Sequence, residues 1–247
     1  MSKKKSESID TGFFGITFEK SELVIIGAKP GVGKSALAYS IFRNIAVENG
    51  IPAAVITTGT FFGNQLMQRL LSYESEIKYH KLQKGLLNEK DVEKLNRAIQ
   101  KLKESPIFVE DFPNGSFNQI EQAVEKLVAE NHIKILFIDS YEFLDEVVKG
   151  NLPMSKVFLQ YKNLAQLQNI LVAVLMDLPA NCELSSLNMF RNDVAVTRIV
   201  DSYIFLDREI INDYERIPDT KAKLLFCRGN QFCEYEVKLE DGRVLCR

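Results

Sequence analysis

The chain has 247 residues, of which 46% are apolar and 26% charged, so it can bury a sizeable core and is too apolar to remain disordered. Its 31 basic and 33 acidic residues leave a net charge of −2, which argues against wrapping nucleic acid in positive charge; any such contact is local, or is made by a ring of subunits. No uncharged run of eighteen apolar residues occurs, and Met1 to Ser8 lack the apolar stretch of a secretory signal, so the sequence reads as cytoplasmic and without a membrane span.

Residues 1–10, with the basic run Lys3 to Lys5, read as a solvated tail, and 11–247 as a single α/β domain. Leu23 to Gly27 (LVIIG) is a continuous apolar run of the kind that a buried strand needs, and it ends in a Gly/Pro-rich loop, Ala28 to Gly33. A helix is expected from about Lys34 to Glu48, stopped by Asn49-Gly50. Ala53 to Thr57 reads as a second strand and Asn64 to Tyr73 as a helix. Asn88 and Asp91 resemble a capping box that opens a helix carrying Val92, Leu95, Ile99 and Leu102 on one face.

Pro106 to Glu110 is a third strand candidate. Ser116 and Gln119 make a second capping box, and Ile120, Val124 and Leu127 follow at helical spacing. Ile133 to Asp139 (IKILFID) is the most strand-like segment; a helix over Met154 to Gln168 then leads to a strand over Ile170 to Met176, and Ser202 to Leu206 forms another. Lys223 to Cys227, Glu234 to Leu239 and Val244 to Cys246 read as strands joined by short turns. Alternating strands and helices predict a mostly parallel sheet covered on both faces, with the last strands extending one edge in antiparallel fashion. Cys182, Cys227, Cys233 and Cys246 lack Cys-x-x-Cys spacing and do not compose a zinc site with His80 and His132, so free buried thiols are expected.

Between the first strand and the first helix lies Gly27-Ala28-Lys29-Pro30-Gly31-Val32-Gly33-Lys34-Ser35. Gly31 and Gly33 permit positive φ, which lets successive backbone N–H groups turn towards an anion, and the helix that begins near Lys34 adds the positive end of its dipole. This segment through Ala36 is the expected cradle for the phosphates of ATP. Lys34 is expected to reach the β and γ phosphates, and Ser35 to place its hydroxyl on Mg²⁺. The strict pattern wants glycine at position 28, where this chain has alanine. Asp139 is expected at the carboxyl edge of a strand beside the first one, facing the metal through water.

Thr11-Gly12-Phe13 and then Glu22 to Ser35 (ELVIIGAKPGVGKS) resemble the ATPase domain of DnaB-type bacterial replicative helicases, whose loop usually reads Ala-Arg-Pro-x-x-Gly-Lys-Thr. Gln65-Leu66, Leu86 to Asp91, the Asp139 strand, Phe190-Arg191-Asn192, Asp201 to Arg208 and Arg228-Gly229-Asn230 fit in order. The resemblance implies a RecA-like P-loop ATPase that assembles as a hexameric ring around single-stranded DNA, with Arg228 inserted at a neighbour's nucleotide. It also places a glutamate after the second strand to activate water, where this chain has Thr60, and a phosphate-sensing glutamine where it has Asp177. A threonine hydroxyl is a poor base near neutral pH. Asp177 would then either polarise the water or spoil hydrolysis, and slow turnover is expected; the alternative is a nucleotide-binding regulatory module.

The loops that face DNA in the family match 145–153 and 178–192, neither of them strongly basic. The family's replicative members carry a helical N-terminal domain and a linker helix. With ten residues before Thr11, an excised domain or a free-standing paralogue is expected, and Met1 favours the second.

Overall fold

The computed structural model describes residues 8–59, 62–140, 142, 144–150, 152–179, 194–208, 219–229, 231–240 and 243–246. In chain order the strands are β1 (Ile9–Asp10), β2 (Thr17–Phe18), β3 (Leu23–Ala28), β4 (Ala53–Thr57), β5 (Ile107–Asp111), β6 (Ile135–Asp139), β7 (Leu171–Asp177), β8 (Ser202–Asp207), β9 (Asp219–Arg228), β10 (Gln231–Glu240) and β11 (Arg243–Cys246). The helices are α1 (Lys34–Arg43), α2 (Phe62–Ser75), α3 (Tyr79–Gln83), α4 (Glu89–Glu104), α5 (Phe117–Asn131), α6 (Asp145–Val148), α7 (Met154–Gln168) and α8 (Val194–Ile199).

Nine strands form one sheet in the order β11-β10-β9-β8-β3-β7-β6-β4-β5. The strands from β8 to β5 pair in parallel, and β8-β9-β10-β11 pair antiparallel. Strand periodicity splits the core in two. Val24 and Ile26 of β3, Phe137 of β6 and Leu175 of β7 pack with α1, while Leu23, Ile25, Ile138 and Val174 face α5 and α7. Each such fully buried aliphatic contributes about 1.5–3 kcal/mol, so both faces are strongly specified.

Both expected capping boxes form. Asn88 accepts from the Asp91 N–H and Ser116 from the Gln119 N–H, and both boxes are closed reciprocally. The first helix ends differently from expectation, since α1 passes into a single π-helical turn, Asn44–Glu48. Ile9 and Asp10 are not a tail: they pair with Phe18 and Thr17, and Ile9 is buried. Among the described residues no cysteine forms a disulfide, and Cys227 and Cys233 are half-buried and Cys246 exposed, on the antiparallel strands β9, β10 and β11 rather than in the core. Cys182 lies outside the described residues.

Candidate phosphate-binding site

The two small residues that open the loop do different jobs. Gly27 belongs to β3, and a Cβ there would approach the Phe205 ring to 2.8 Å, so glycine is required by packing. Ala28 is the last residue of β3, fully buried and paired with Asp177 of β7, and needs no glycine freedom. Gly31 and Gly33 supply the turn, with φ of 78° and 125°. A Cβ at Gly33 would also meet Leu239 at 2.8 Å, whereas Gly31 opens onto free space. Gly33 is the N-cap of α1 and has no side chain with which to cap it, so the first N–H groups of the helix are available to an anion.

Strand order and register set the chemistry of the carboxyl edge. Ala28 and Asp177 are paired across β3 and β7, and Asp139, Thr57 and Asp111 are paired across β6, β4 and β5. Asp139 is therefore not on a strand beside β3, as expected, because β7 is inserted between them. The direct neighbour carries Asp177, whose carboxylate takes the Lys34 ammonium at 2.9 Å. The Lys34 side chain is 11% exposed and the Asp177 side chain 47%.

Asp139 is buried beneath α1, where the Tyr39 hydroxyl donates to it. Burial raises its carboxyl above the ordinary range, while the Tyr39 hydrogen bond and the Lys34 charge pull the other way. Burial and the neighbouring Asp139 carboxylate push the Tyr39 phenol well up. Thr57 donates to Asp111, and Thr58 to the Ser140 carbonyl. Glu142, just beyond β6, accepts the Asp177 N–H at 2.6 Å. Arg208, just beyond β8, donates to the Gly31 carbonyl at 3.0 Å from outside the loop.

The loop, Lys34, Ser35, Asp139 and Asp177 thus meet at one edge. Arg228 does not. It pairs with Ser202, which pairs with Val24, and so lies at the opposite edge of the sheet from Ala28. There it donates to Glu22 at 2.7 Å, to the Thr17 carbonyl at 2.7 Å and to Ser202 at 2.9 Å. Thr60 and Phe190 to Asn192 lie outside the described residues, as does Asn230.

Sequence reasoning missed Tyr39 and Glu142, though each left a trace. Tyr39 stands four residues after Ser35, on the same helical face, and Glu142 three residues after Asp139. The residues fit a magnesium triphosphate. Two glycines at positive φ and an uncapped helix start offer backbone donors, while a hydroxyl and a carboxylate offer the hard oxygens that Mg²⁺ takes.

A parallel sheet with a glycine loop running into a helix, and an acidic strand end two strands away, define a RecA-like P-loop nucleoside triphosphatase fold. The family model described as the DnaB-like helicase C terminal domain matches residues 6–228, and the chain belongs to that family. It is 30% identical over 201 residues to the replicative DNA helicase DnaB of Treponema pallidum, covering 78% of this chain and 45% of that protein. It spans less than half the length of that relative.

Among solved structures, a DnaB-like replicative helicase described with its primase interactions superposes with a TM-score of 0.82 at 20% identity, over 100% of this chain and 65% of that one. A second solved structure, of an isolated ATPase domain, gives 0.78 at 21% identity, over 92% of this chain and 86% of that one. Identities this low establish the fold. None of the described helices is long and apolar enough to cross a membrane.

Proposed function

We propose that the chain is a cytoplasmic DnaB-like ATPase domain that binds Mg-ATP on residues 28–36 and hydrolyses it slowly in service of DNA unwinding. The observation that carries this is the loop itself, with Gly31 and Gly33 at positive φ ahead of an uncapped helix and Lys34 held at its mouth. Backbone N–H groups would hold the phosphates and Lys34 would neutralise their outer end. Ser35 and Asp139 would hold Mg²⁺, which supplies charge neutralisation when bound. Asp139 is kept in place for that by Tyr39.

Arg228 sits too far from its own loop to act there, which supports a role at a neighbour's nucleotide in a hexameric ring around single-stranded DNA. Thr60, where the family's glutamate would stand, can hold a water without deprotonating it. A second reading, a nucleotide-binding regulatory module without turnover, is favoured by one observation, the ion pair that sets Asp177 against Lys34.

ATP turnover, measured with and without single-stranded DNA and beside sizing in nucleotide, tests these readings. The first expects turnover that rises with DNA, a nucleotide-dependent ring, and loss of both hydrolysis and stimulation in Lys34→Ala. Equal rates for parent and Lys34→Ala would remove it; tight binding with no turnover would establish the second.

A further inference from the structure

Glu142 stands three residues past Asp139, and its two carboxylate oxygens differ. Oε1 accepts the Asp177 N–H at 2.6 Å, which fixes the carboxyl beside the strand end that holds Lys34. Oε2 is buried without a hydrogen-bond partner among the described residues. A buried acceptor left in that state costs about 1–3 kcal/mol, so it marks a place where something polar is expected to bind. Four of its neighbours on this edge already hold a partner. Asp139 takes the Tyr39 hydroxyl, Asp177 takes Lys34, Thr57 serves Asp111, and Thr58 serves the Ser140 carbonyl.

Resting on the reading of residues 28–36 as an ATP site, we propose that Glu142, through Oε2, holds the attacking water and accepts its proton. The water oxygen forms a bond to the γ-phosphorus while the bond from that phosphorus to the β,γ-bridging oxygen breaks. The bridging oxygen keeps the electron pair and leaves with ADP, the water proton goes to Oε2 of Glu142, and that proton later passes to solvent. Burial also pushes the Glu142 carboxyl above its ordinary range, with Lys34, the Ser140 hydroxyl and the Asp177 N–H opposing, which moves it in the direction that suits a base. The role that a glutamate after β4 would fill thus comes from a different strand end.

The test compares Glu142→Gln and Glu142→Asp in the full chain with Mg-ATP, beside Lys34→Ala. Glutamine keeps the shape and the acceptor for the Asp177 N–H but cannot take a proton; aspartate keeps the base on a shorter arm. Glu142→Gln is expected to bind ATP within about twofold of the parent, melt within a few degrees of it, and lose about 100-fold or more in single-turnover rate. Glu142→Asp should retain more activity than Glu142→Gln. A side chain that only braces β7 would give the reverse order, since the amide oxygen preserves the brace, and that order overturns the proposal, as does a parental rate in Glu142→Gln. If Lys34→Ala loses ATP while Glu142→Gln turns over normally, the assignment of Glu142 alone falls. If the parent does not bind Mg-ATP, or Lys34→Ala binds it equally well, the reading of the loop falls and takes Glu142 with it. A parent that binds ATP without any turnover also overturns the role of Glu142.

Discussion

The two edges of the parallel sheet treat charge differently. At the amino edge Arg228 is bound by Glu22, Ser202 and the Thr17 carbonyl, and Lys162 by Asp201 and the Ser21 carbonyl. At the carboxyl edge a helix begins without a cap, and Glu142 keeps a buried oxygen without a partner among the described residues. Unmet polar valence at one edge and met valence at the other distinguish a surface built for a ligand from one closed on itself. Yet the two proposed catalytic cations share a property. Lys34 is held by Asp177 and Arg228 by Glu22, so each must exchange a carboxylate of its own chain for phosphate before it can act.

The sharpest way to break the comparison is to remove the cation at the open edge. Lys34→Ala is expected to reduce hydrolysis to background and ATP affinity by about 100-fold or more, read by calorimetry, with the fold intact by circular dichroism. Arg228→Ala is expected to lower kcat by about 10³-fold while leaving the Kd for ATP within about twofold, because the residue lies at the opposite edge of the sheet from Ala28. Mixing Arg228→Ala with Lys34→Ala should restore turnover at the boundaries where an intact loop meets an intact arginine; no restoration would mean that Arg228 only braces the amino edge.

Tyr39→Phe removes the donor from a buried carboxylate. It should destabilise the fold by about 1–3 kcal/mol in urea unfolding, with Mg²⁺ and nucleotide recovering part of the loss. The smallest effect is expected from Asp177→Asn. Its ion pair with Lys34 is half-exposed and worth at most about 1 kcal/mol, so freeing Lys34 should tighten ATP binding by about threefold. Weaker binding in Asp177→Asn would show that Asp177 orients Lys34 instead of competing for it.

Much of this edge is legible in the sequence, because β3, β4 and β6 are continuous apolar runs that end in Gly27-Ala28, Thr57 and Asp139. Strand adjacency is not legible. That β7 lies between β3 and β6 follows from the path of the chain through α7, and it is this insertion that brings Asp177 onto Lys34. The hairpin β1–β2 escapes notice because two residues per strand carry no period. Tyr39 and Glu142 escape for another reason: tyrosine on a helix reads as core and glutamate after a strand as surface, and only their opposing partners, Asp139 and the Asp177 N–H, reveal otherwise. The departure at Ala28, conspicuous in the sequence, asks for no positive φ, because that residue still belongs to the strand.

That small hairpin reaches further than its size suggests. The Asn44 side chain, at the far end of the helix that starts on the phosphate loop, donates to the Thr11 carbonyl at 3.1 Å, and Arg228 donates to the Thr17 carbonyl at 2.7 Å. One short ribbon therefore grips both the far end of the helix that starts on the glycine loop and, through Thr17, the arginine at the opposite edge of the sheet. A displacement of the hairpin would be felt at both ends of the parallel sheet in one movement, and at two nucleotide sites together if Arg228 serves a neighbour as proposed.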